Sequence, residues 1–177
     1  MRIIASKQLL SQTLAGLRSL GTGADGWSTR FVDPATGERW AQILLGASHH
    51  GAGHPILVKE PTPSATELLQ LAATSEERAE VAASAWLLAE TDTHGAYKDR
   101  LVMIAEEAAN RGDQERAALL VGWGRLTDET NLRPTRGKTP PEVSADHNHF
   151  MTIAARARAL LHLTASDPLL RDPRIFD

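Results

Sequence analysis

The chain has 177 residues, 42% hydrophobic and 23% charged, which suits a compact globular unit that buries roughly two-thirds of its unfolded surface. It has no cysteine, which excludes disulfides, thiolate metal sites, iron–sulfur clusters and thiol catalysis. The net charge of −3 is uneven: residues 1–59 carry six Lys and Arg against three Asp and Glu, residues 60–131 six against fourteen, and residues 132–177 seven against five.

Polar residues interrupt the first thirteen positions before any run reaches signal-peptide length, and no stretch of about 18 apolar residues occurs. A cytoplasmic protein is expected. Leu9, Leu10, Leu14 and Leu17 share one helical face that Ser6 can cap, with Gly21 and Gly23 ending the helix. Trp27 to Val32 and Arg39 to Leu45 read as strands joined by the turn Asp33-Pro-Ala-Thr-Gly37, in which Asp accepts local bonds and Gly supplies the left-handed position. Pro55 to Val58 reads as a third strand after a loop over 46–54.

From Glu60 onward the pattern is helical. Ser64 with Glu67, Thr74 with Glu77 and Thr139 with Glu142 are candidate capping boxes. The helix carrying Ala79, Ala82, Ala83, Trp86 and Leu88 is apolar around most of its circumference and is expected at the centre. Gly95 and Gly112 bracket a helix through Tyr97, Leu101, Ile104 and Ala108. Asp113 opens the next one, and a loop spans 127–141. A last long helix packs through Phe150, Ile153, Ala154, Ala157 and Leu161. The two Asp-Pro steps of the tail predict an extended ending. The expected fold class is α+β: a small hairpin sheet with an N-terminal helix over 1–60, then a mainly helical bundle over 61–177, packed as one unit.

The sequence offers little catalytic chemistry. His49, His50 and His54 share a glycine-rich loop, and Asp146, His147 and His149 open the last helix, but neither spacing forms a known zinc set. Nucleophile elbows and phosphate loops are not found. Glu76–Glu77 and Glu106–Glu107 diverge on their helices, which suits a solvated face. Arg125, Arg133, Arg136 and Lys138 lack interleaved aromatics for nucleic-acid binding. Trp27, Trp40, Trp86 and Trp123 are expected in the core, with an interface role as the alternative. We therefore expect no catalytic residues, metal or cofactor, and no nucleic-acid or membrane partner.

One ordered set stands out: Asp25-Gly26-Trp27, then Asp33-Pro-Ala-Thr-Gly37-Glu-Arg-Trp40, then His50-Gly51-Ala-Gly53-His54-Pro55. It resembles immunity protein family twenty-seven, a small α+β family of bacterial polymorphic toxin systems, over about residues 20–58. It departs from the family's pattern at Ala52 and His54. The resemblance implies a protein that binds and neutralises a cognate toxin, using Asp25, Trp27, Asp33, Trp40, His50, Gly51, Gly53 and His54. If that toxin is a basic nuclease, the acidic helices, with Glu76, Glu77 and Glu80, are expected to occupy its nucleic-acid groove. The alternatives are a helical regulatory module with no toxin partner, and a metal-dependent hydrolase using His50, His54, Asp146, His147 or His149.

Overall fold

The structure is a computed structural model that describes residues 2–46, 53–162 and 173–177. Five antiparallel strands form one sheet: β1 (Ile3–Ile4), β2 (Arg18–Thr22), β3 (Thr29–Val32), β4 (Arg39–Leu45) and β5 (His54–Lys59), in the order β1-β5-β4-β3-β2. Helix α1 (Lys7–Gly16) links β1 to β2. Successive side chains on a strand alternate between faces, and the sheet uses this to build two cores. Ile4, Trp40 and Leu57 pack with Leu10 of α1, joined by Phe31 and Leu14. On the other face Ile3, Leu45, Ile56 and Val58 meet the helices. That second core joins both halves of the sequence into one packed structure.

The helices are α2 (Ala65–Thr74), α3 (Arg78–Thr91), α4 (Tyr97–Asn110), α5 (Gln114–Trp123) and α6 (Pro140–Leu160). Helix α3 is central, as its apolar circumference requires: nine of its residues are buried, and it packs on α2, α5, β1 and β4. Its alanines let neighbouring backbones approach closely. Trp86 of α3 stacks on Trp123 of α5 with ring centroids 4.7 Å apart. Helix α6 lies against α4, tied by Arg156, which donates to both carboxylate oxygens of Glu106 at 2.7 and 2.6 Å. The loop between α5 and α6 is held by Lys98 Nζ on the Asp128 carbonyl at 2.8 Å, and by Arg133 and Lys138 on Asp146. Burial pushes the Lys98 ammonium below its ordinary range.

Several expectations are corrected. The N-terminal helix ends at Gly16, and the segment assigned to its end forms β2, because that stretch finds a partner in β3. The capping boxes at Ser64–Glu67 and Thr139–Glu142 form. The one at Thr74–Glu77 does not: Thr74 closes α2 by donating to the Gln70 carbonyl at 2.9 Å, and Glu77 precedes α3 without capping it. The end of the tail is not extended. Residues Pro173–Phe176 form a 3-10 turn that buries Phe176 to 1% exposure. There its ring stacks on His54 at 4.2 Å and meets Trp123 edge-on at 5.1 Å.

Candidate protein-binding site

The loop between β2 and β3 is built around one carboxylate. Asp25 Oδ1 accepts from the Trp27 and Ser28 backbone N–H groups at 3.0 and 2.9 Å and from Ser28 Oγ at 2.9 Å. Gly23 N–H donates to the Ser28 carbonyl at 2.8 Å, and Gly26 N–H to the Gly23 carbonyl at 3.0 Å. The Ser28 and then the Trp27 N–H hold the Asp25 carboxyl below its usual range. This closed loop presents Trp27 at 84% exposure, so the core expectation for that indole is overturned. A large aromatic surface on a prefixed loop is the usual anchor of a protein interface, since little entropy remains to be lost on binding. Leu20, half exposed in the β-bulge of β2, adds apolar surface on the open edge of the sheet.

The structure separates the other candidates. Asp33 lies at the opposite end of β3, where it accepts from Ala35 N–H at 2.8 Å and Thr36 Oγ1 at 2.9 Å. It shapes a tight turn in which Gly37 takes φ +74°. Its carboxyl is lowered first by the Ala35 N–H. Trp40 is buried between α1 and the sheet, so its assignment to a partner surface is corrected to core. His54 Nε2 lies 2.9 Å from the Ala5 carbonyl oxygen, and its ring supports Phe176, which makes it a structural pin. Gly53 leads into β5 at the same end of the sheet as Trp27. His50 and Gly51 lie outside the described residues.

Glu76 and Glu77 are exposed at the start of α3. Glu80 is not: it is 5% exposed, and its Oε1 accepts from the backbone N–H groups of Arg2 and Ile3 at 2.9 Å each. Its place on a partner surface is therefore corrected to an internal clamp between α3 and β1. Most of the acidic middle is likewise engaged. Glu67 pairs with Arg2, Asp99 with His149, Glu106 with Arg156, Asp113 with Arg116, Glu115 with Arg78, and Glu129 with Arg158. Among the described residues, only Glu76, Glu77 and Glu107 of that segment's acids have carboxylates without a hydrogen bond or ion pair. Arg2, Arg30, Arg156 and Arg158, all from outside the segment, pair with four of its acids, so the free negative surface is smaller than the sequence count alone suggests.

No group of three or more His, Asp or Glu among the described residues is placed to hold a metal ion. No helix among them is long and apolar enough to cross a membrane. The exposed Leu20 was missed because its bulge arises from the pairing of β2 with β3, which local pattern does not encode. No family model, curated protein or solved structure matches the chain.

Proposed function

We propose that this chain is a protein-binding module that neutralises a bacterial toxin. The observation that carries the binding reading is Trp27, held 84% exposed on a loop in which Asp25 accepts three hydrogen bonds. Keeping an indole in water forgoes about 2 kcal/mol of burial energy, and a docking partner is what recovers it. The toxin as partner comes from the resemblance of residues 20–58 to the immunity family, whose Asp-Gly-Trp motif falls on this loop.

The test is capture of partners from the host by the tagged chain, in parallel with a Trp27→Ala variant. One dominant protein should be retained that is toxic when expressed alone and harmless when co-expressed with the chain. Losing an interface anchor costs about 2 kcal/mol, so the variant should bind it about 30-fold more weakly. Partners that are not toxic, or that ignore the Trp27→Ala change, would leave the helical regulatory module as the better reading.

A further inference from the structure

The helices cover only part of the sheet. Their core takes residues from β1, β4 and β5, and none from β2 or β3. Ile3, Val58, Ala41, Arg30 and Gly21 stand side by side in one row across the five strands. Ile3 and Val58 are buried under the helices, whereas Arg30 and Gly21 toward the other end of the row are exposed. The next row on the same face is Arg39, Val32 and Arg18. All three arginines are exposed and Val32 between them is partly buried. Strand spacing sets Arg18 and Arg39 about 10 Å apart, each diagonal to Arg30.

The charges here are incompletely satisfied. Arg30 meets Glu60 only through Nε, at 3.4 Å, and feels Asp25 nearby. Among the described residues, Arg18 and Arg39 have no carboxylate within ion-pair distance.

We propose that this open half of the sheet docks an acidic protein segment, whose carboxylates seat on Arg18 and Arg39 across Val32. The planar guanidinium fork matches a carboxylate with two parallel hydrogen bonds, and Val32 supplies apolar contact between them. A nucleic-acid backbone fits this face less well. Phe31 and Trp40, the aromatic side chains of β3 and β4 that would stack bases, belong to the row facing α1. The inference rests on the protein-binding reading for the nature of the ligand. Trp27 lies past the far end of β3, a strand about 13 Å long, away from Arg18 and Arg39.

The test titrates the isotope-labelled full chain with an octaglutamate peptide, following backbone amides by NMR. Shifts should concentrate at Arg18, Arg30, Val32 and Arg39. An R18E/R39E variant with unchanged helical resonances should bind at least tenfold more weakly, and an R100E/R111E control should stay within twofold of the parent. No binding, or equal weakening by the control, overturns the proposal. So does tighter binding of an octathymidylate at the same amides. Trp27→Ala should leave peptide affinity within twofold, so the failure of the toxin reading and the failure of this one are seen separately.

Discussion

Glu76, Glu77 and Glu80 lie within five residues, yet only the first two reach solvent. Glu80 faces inward because the sheet offers it two unpaired N–H groups at β1, and Ser75 Oγ donates to its other oxygen at 2.6 Å. Removing that acceptor strands buried donors, which costs more than the bonds themselves contribute. Glu80→Ala should lose about 3 kcal/mol in urea unfolding, and Glu80→Gln, which keeps an acceptor, should lose less. A loss below about 0.5 kcal/mol would show that the clamp is dispensable. Trp27 makes the opposite case: being 84% exposed, its change to alanine should leave stability within about 0.5 kcal/mol while weakening partner capture. Residue identity set the chemistry at both positions, but burial decided which served the fold and which was left for a partner.

Among the elements, the turn signals carried the most information. Asp33 to Gly37, the capping boxes of α2 and α6, the Gly112 stop and the Asp113 cap all act locally, within a few residues, and all appear as read. Strand β2 did not, because Arg18-Ser-Leu-Gly-Thr22 has no alternation and acquires its structure only by pairing. Helix contacts depend on similar long-range fits. At Gly124, where α5 ends, an added Cβ would lie 2.3 Å from Leu101 Cδ2 and 2.6 Å from the Leu120 carbonyl oxygen. Leu101 is fully buried and has no room to swing away. Gly124→Ala should therefore push α4 and α5 apart and cost about 2 kcal/mol, read as a lowered urea midpoint. An unchanged midpoint would mean that the helices give way freely.

For the whole molecule, the C-terminal turn and the charge network matter most. Phe176 fills a slot between β5, α3 and α5 from the far end of the chain. Phe176→Ala should cost about 3 kcal/mol and shift the tryptophan fluorescence to the red, since Trp86 and Trp123 line the slot; unaltered emission would argue that the turn is not seated there.

The carboxylates add a pH dependence. Asp146 is held low by hydrogen bonds from Lys138 and Arg133, Asp113 by the Arg116 N–H, and Glu67 and Glu142 by the backbone N–H groups of their capping boxes. Folded values below the ordinary 3.8 and 4.5 mean that this stability is present above those values and lost as pH falls through them toward the depressed ones. The urea midpoint should hold from neutral pH down to about 5 and then drop. Asp146→Asn should start lower and drop less. A midpoint equal at pH 7 and about 3 would count against the network.

The sequence by itself determined the mixed class, the hairpin and its turn, the central place of α3 and most helix ends, because propensity, capping and periodicity act over a few residues. It singled out Asp25-Gly-Trp27 only through a family resemblance, and placed Trp27 at the start of a strand that the structure begins at Thr29. Only the tertiary structure decided that Trp27 faces solvent while Trp40 does not, that Glu60, Glu67, Glu106 and Glu129 of the acidic middle pair with distant arginines, and that Arg18, Arg30 and Arg39 share one uncovered face. Each of those depends on strand register or on ion pairs between residues far apart in sequence, and folding is what brings such residues together.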